Sequence, residues 1–360
     1  MKFVKDKSLE NYIEELLSIN NINMSVSDMF LEVIGNKNII TKKEVEAYKN
    51  KFNLLDKDIL LNKYAEYWEI DLDNEEDEDI FNNVITPSIV NSDINKYLNN
   101  PYYQLVKQKP FKDKDYELII DEYEPYELFP LKDISTNSVN YLEENSFSFF
   151  SQKFPFLSLN YKGVTWMSVT PNEIETMENS INKVKGNVAV YGLGIGYYAF
   201  MISLKEDVKS ITIIEKDKKI IEIFTKFLLP QFPHKEKIKI VNDDAFNYLK
   251  NSNSFDYSFV DLWHNPLDGI ELYIKFKKLE KKGKYHYWLE SSFYALLRRC
   301  FISLIEEQLQ GYKEDNYKVE KSYTDKIINI YYYKTKDLTI KNREELKLLL
   351  SDSSLLNMLM

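Results

Sequence analysis

Five residues, Gly192-Leu193-Gly194-Ile195-Gly196, follow the apolar run Val188-Ala189-Val190-Tyr191 and precede Tyr197-Tyr198-Ala199-Phe200. Glycines at alternate positions let the backbone turn tightly and approach a ligand, and a following helix N-terminus presents amides without intrahelical partners. Between a strand and a helix this pattern points to a nucleotide-type cofactor. A tight turn that needs glycine is the plainer alternative. Acids then end each later apolar run: Glu215, followed by Lys216; Asp243 and Asp244, followed by Ala245; and Asp261 after Tyr257-Ser258-Phe259-Val260. Strand ends line the crevice where an open α/β sheet binds ligands. Each acid also has a structural reading: Glu215 an ordinary strand-end carboxylate, Asp243 or Asp244 a helix cap, Asp261 a turn cap. His264, one of three histidines, lies three residues past Asp261 in a loop over the same crevice, either as a proton carrier or as a surface residue.

The elements that would position these residues read as follows. Strands are expected over 188–191, 210–215, 237–241, 257–261 and 285–289, alternating with helices over 195–204, 218–228, 246–250, 271–278 and 291–310. Such alternation indicates a parallel sheet covered on both faces. Residues 317–323 and 326–334 read as an antiparallel hairpin, and a helix from Arg343 follows. Upstream, 1–109 is acidic and mainly helical, 110–169 is β-rich, and 170–360 carries the alternating pattern. Asn160-Tyr161-Lys162-Gly163-Val164 supplies a hairpin turn. Thr170-Pro171-Asn172-Glu173 starts a helix with Thr as N-cap, Pro first and Glu third.

The order and spacing of these features resemble a class I S-adenosylmethionine-dependent methyltransferase. The dinucleotide fingerprint needs its third glycine where Tyr197 stands, whereas Gly-x-Gly-x-Gly suits this family. The resemblance implies that Glu215 holds the ribose hydroxyls, that Asp244 accepts from the adenine amino group, and that Asp261 lies beside the transferred group. It also implies a Rossmann-like, mostly parallel sheet closed by the antiparallel hairpin. The acid that most members carry two residues before the first glycine is replaced by Val190. The spermidine-synthase-like branch also lacks that acid, and it likewise precedes the glycine strand with a β-hairpin and a helix. Its three consecutive glycines are absent here, and Asn265-Pro266 stands near its Asp-Pro pair, so the likeness to that branch is one of layout. Trp166-Met167-Ser168 would line the site on the same layout.

Charge and composition exclude other classes. Residues 1–110 hold 13 lysines against 20 acids, net −7, and the chain has three arginines. Nucleic acid is therefore not the expected partner. Asn265-Pro266-Leu267-Asp268 lacks the second proline and the aromatic of DNA amino-methylating enzymes. Seven acids crowd Asp71 to Asp79, but a calcium loop would need Gly at Glu76 and Glu at Asn82, so a solvated mobile acidic loop is expected. Cys300 is the one cysteine, and neither a zinc spacing, a membrane span nor a signal segment is evident, which points to a cytoplasmic protein. Transfer from a sulfonium needs alignment of nucleophile, carbon and sulfur, and a free lone pair on the nucleophile. The expectation is an S-adenosylmethionine-dependent methyltransferase acting on a small molecule or a protein side chain. Asp261 and His264 are its catalytic candidates. Its cofactor contacts are Gly192, Leu193, Gly194, Gly196, Glu215, Lys216, Asp244, Ala245 and Asp261, with no metal. The alternatives are an aminopropyltransferase of the spermidine-synthase-like layout and a binding module without turnover.

Overall fold

Uninterrupted apolar residues over 188–191 suit a strand buried on both faces, and they form β1 (Gly186–Tyr191) at the centre of the computed structural model, which describes residues 1–37, 39–107 and 111–360. The expected boundary between residues 109 and 110 lies outside the described residues. Beside β1 stand β2 (Val208–Glu215), β3 (Ile238–Asn242), β4 (Tyr257–Val260) and β5 (Lys284–Tyr287). Their order is β3-β2-β1-β4-β5 and every pairing is parallel. The chain winds outward from β1 in one direction and then in the other. The ends of β1 and β4 therefore part at a topological switch point, where such sheets bind ligands.

Alternation along each strand divides the core between the two faces. Val188, Val190, Ile211, Ile213 and Phe259 pack with the helices Pro171–Lys183 and Tyr197–Ser203, and with Tyr102, Leu118 and Phe154 from upstream. Ala189, Tyr191, Ile214 and Val260 face the helices Pro266–Lys277 and Glu290–Leu309, which are joined there by Leu9, Tyr12 and Leu16 of the long helix Lys7–Val33. Upstream of the helix Pro171–Lys183, a hairpin of Phe154–Tyr161 and Val164–Ser168 turns at Lys162 (φ 51°) and Gly163 (φ 79°). Both turn residues have the positive φ that a two-residue hairpin requires. The register shifts between Thr165 and Met167, which makes Trp166 the extra residue of a bulge.

Two expectations fail. Residues 317–334 do not form a closing hairpin: a 3-10 turn Glu314–Lys318 leads to the α-helix Tyr323–Thr335. Its β-branched and aromatic content reads as strand, yet Ser322 and Asp325 form a capping box, and Ile327, Tyr331 and Thr335 bury one helical stripe. The sheet accordingly ends at β5, with all five strands parallel. The acidic run is a loop only from Asp71 to Asn74, and its remaining acids enter a helix. Asn74 caps the helix Glu75–Ile80, whose first turn holds four acids, the end at which the helix dipole favours them. No helix among the described residues is long and apolar enough to cross a membrane.

Candidate active site

Gly192 continues β1 with φ 97°, and a Cβ there would lie 1.9 Å from the Asp261 carbonyl oxygen. Only glycine lets the first loop close against the end of β4. Gly196, at φ 82°, seats the helix Tyr197–Ser203 on the Phe224 ring, 2.3 Å from where a Cβ would stand. Gly194 has φ 54° and open space on its Cβ side.

The loop is fixed from below by Glu215. Its Oε2 accepts from the Leu193 N–H at 3.2 Å and its Oε1 from the Asp217 N–H at 2.8 Å. At 8% exposure it is buried rather than an ordinary exposed strand-end acid. Lys216 is exposed, and its carbonyl and that of Glu215 both accept from the Asn242 side chain at 3.0 Å, which ties β3 to β2. Asp217 caps the next helix and accepts from the Tyr116 hydroxyl at 2.8 Å, so an upstream strand, Tyr116–Tyr123, pins the same corner. Asp244 caps the helix Ala245–Asn251 through Oδ1, with Phe246 and Asn247 donating at 3.0 Å, and Ala245 is buried. Asp243 accepts from the Asp244 N–H and the Asn247 side chain, both at 2.8 Å. The capping role is thus real for Asp244, which uses one of its two oxygens for it, whereas Asp243 braces the cap from outside the helix.

Asp261 ends β4, its N–H donating to the Tyr191 carbonyl at 2.9 Å. The carboxyl is half-buried at the switch point, and desolvation pushes its pKa up to about 7. Facing it electrostatically is Glu173, pushed well above the usual carboxylate range by burial first and by the Asp261 charge second. The Ser168 N–H partly offsets this by donating to Glu173. No lysine or arginine among the described residues forms an ion pair with either acid. By its place three residues after Thr170, Glu173 reads as part of a helix cap. In the structure Thr170 is the N-cap without a side-chain cap bond, and the Glu173 carboxyl accepts from Ser168 and feels the charge of Asp261. An acid at the third helix position was a visible signal, but its direction was not.

His264 is exposed and held by Asp268, which accepts from its N–H at 3.2 Å and lies 3.1 Å from its Nδ1. Asp268 belongs to the capping box of Pro266–Lys277, so His264 is anchored to that helix and makes no hydrogen bond to Asp261. The bulged Trp166 meets the His264 ring edge-on at 6.0 Å, bringing the hairpin to the loop after β4. Trp263 instead packs into the core: its Nε1 donates to the Trp288 carbonyl at 3.0 Å and it lies against Gly269. Tyr197 and Tyr198 both face the core, Tyr198 stacked on Phe259 at 3.8 Å. Cys300 is buried filler, its thiol pushed up to about 12 by desolvation.

Such an arrangement can receive a cation at the acid pair and accept a proton near neutral pH. Residues 173–285 match the model of the spermine/spermidine synthase domain. No curated protein matches the chain. Among solved structures it is similar to spermidine synthase from Thermotoga maritima, at 16% identity and a TM-score of 0.30, over 56% of this chain and 74% of that one. It is also similar to a spermidine synthase in complex with the transition-state analogue AdoDATO, at 15% identity and a TM-score of 0.29, over 56% and 73%. The methyltransferase expectation is overturned by the domain match, because the matched segment contains the glycine run, Glu215, Asp244 and Asp261. A protein side chain as acceptor finds no support in that match either.

Proposed function

We propose that this chain is an aminopropyltransferase, moving an aminopropyl group from decarboxylated S-adenosylmethionine to a small-molecule amine. The observation that carries the reading is the acid pair Asp261 and Glu173, half-buried at the switch point without a cation to balance it. Decarboxylated S-adenosylmethionine presents a sulfonium and an ammonium and has no carboxylate. A pair of acids with no paired cation favours it over S-adenosylmethionine, whose carboxylate would meet two acids and no lysine. The spermine/spermidine synthase match over 173–285 supports the same substrate class.

Each group then has a task. The backbone at Gly192, Leu193, Gly194 and Gly196 lies along the substrate. Glu215 braces that loop and offers its remaining lone pairs to the ribose. The second oxygen of Asp244 is free for the adenine amino group, with Lys216 and Ala245 beside it. The acceptor nitrogen attacks the aminopropyl carbon bonded to sulfur. A carbon–nitrogen bond forms, the carbon–sulfur bond breaks, and its electron pair stays on sulfur to give methylthioadenosine. The attacking amine needs a free lone pair, and Asp261 takes its proton, a role for which a pKa near 7 suits it. His264 and Trp166 border the acceptor side.

Incubation with decarboxylated S-adenosylmethionine and a panel of diamines and polyamines, with methylthioadenosine read by chromatography, tests the proposal. Methylthioadenosine formed only when an amine is present is the expected result. Calorimetric binding with no product across the panel would favour a binding module instead.

A further inference from the structure

The helices Lys42–Phe52 and Asp56–Tyr67 do not close fully against each other. Between them and the segment that follows lies a groove of about 620 Å³, walled by Tyr48, Phe52, Ile59, Ala65, Ile70 and Leu72. Ile59 and Ala65 form a buried floor, whereas Phe52 is 51% and Leu72 41% exposed. Large apolar side chains left open around a concavity mark an interaction surface.

The rim has one sign of charge along one side. From Glu66 to Asp79 the chain carries nine acids, and no basic residue occurs between Lys63 and Lys96. Glu66 and Glu69 line the groove itself, and Glu75, Glu76 and Asp79 line a recess of about 480 Å³ further along the chain. The lysines nearby are engaged: Lys63 binds Glu66 at 2.7 Å and lies over the Tyr48 ring. Lys51 sits 4.8 Å from the centre of the exposed Phe52 ring, so a cation already rests on this aromatic wall.

We propose that this groove binds a protein partner through a segment bearing a bulky apolar side chain flanked by lysines or arginines. The apolar floor takes the anchor, and the acids take the flanking cations and speed the encounter. Nucleic acid and anionic lipid would be repelled by the same rim. The groove shares no lining residue with the crevice, so this inference stands apart from the proposed reaction.

A fluorescent synthetic peptide with one tryptophan and two leucines at helical spacing and lysines elsewhere, titrated into the full chain, provides the test. Its glutamate counterpart and a lysine-only peptide serve as controls. The tryptophan–lysine peptide should bind at least about 10-fold tighter than either control, a margin set by one anchor. Phe52→Glu and, separately, Leu72→Glu should remove that margin, and Glu66→Lys with Glu69→Lys should weaken binding and flatten its salt dependence. All these side chains are exposed, so unchanged thermal melts confirm folding. Equal binding of the lysine-only peptide, or no response to Phe52→Glu and Leu72→Glu, overturns the proposal. So does self-association of the chain that Phe52→Glu abolishes, since a second copy would then be the occupant.

Discussion

A carboxyl buried without a cation works against the folded state whenever it is charged, and Asp261 makes this measurable. Its pKa stands near 7 in the folded chain against an ordinary 3.8, so the native state holds the proton more tightly than the unfolded one. The stability it contributes is therefore full below about pH 4 and is lost as pH rises through about 7. Asp261→Asn should leave the free protein melting like wild type at pH 4 and a few degrees above it at pH 8, while methylthioadenosine formation falls by about 10²–10⁴-fold. Equal melts at both pH values would mean that the carboxyl is solvated. Glu215 is held by hydrogen bonds instead, both its oxygens accepting backbone amides. Glu215→Ala should cost about 1.5–3 kcal/mol in denaturant melts of the ligand-free protein, as well as weakening the nucleoside. Unchanged ligand-free stability would show that water replaces the carboxylate at Leu193 and Asp217.

Among elements, the β1 loop and the helix Tyr323–Thr335 invite separate tests. Gly192→Ala would drive a Cβ into the Asp261 carbonyl, so β1 and β4 must separate at the switch point. Gly194→Ala meets no atom within 4 Å and carries only the strain of φ 54°, about 1–2 kcal/mol. The expected order in thermal melts is wild type, Gly194→Ala, then Gly192→Ala far below; the reverse order would contradict the loop geometry. Ser322→Ala removes the N-cap of Tyr323–Thr335 and should cost about 1 kcal/mol in chemical denaturation. A hairpin at this position would be indifferent to that change.

Across the whole molecule, the first and last parts of the chain cover one face of the sheet together. Lys2–Phe3 pairs in parallel with Thr339–Ile340, and the Met1 ammonium donates to Gln308 at 3.1 Å. Leu9, Tyr12, Ile13 and Leu16 share a core with Leu297, Phe301 and Leu355. Removing residues 1–33 should lower the melting temperature of the remainder and expose dye-binding apolar surface, even though the glycine loop lies far along the sequence. A truncated chain with an unshifted melt would show that the sheet face is covered without them.

Periodicity and local chemistry were enough to read the parallel strands, the glycine turn, the hairpin at Lys162-Gly163 and the acids at the strand ends. Each of these depends on neighbours in the chain. The helix Tyr323–Thr335 escaped because Ile-Ile-Asn-Ile-Tyr-Tyr-Tyr suits a strand by propensity, and packing against the helix Glu290–Leu309 decided otherwise. The same locality hid Glu173, whose partner Asp261 lies 88 positions away. That Glu215 is buried, that Trp166 is turned by a bulge toward His264, and that Glu173 feels the charge of Asp261 with no cation paired to either all depend on which surfaces meet. Burial and the field between distant charges exist only once the chain has folded, so the tertiary structure alone decided them.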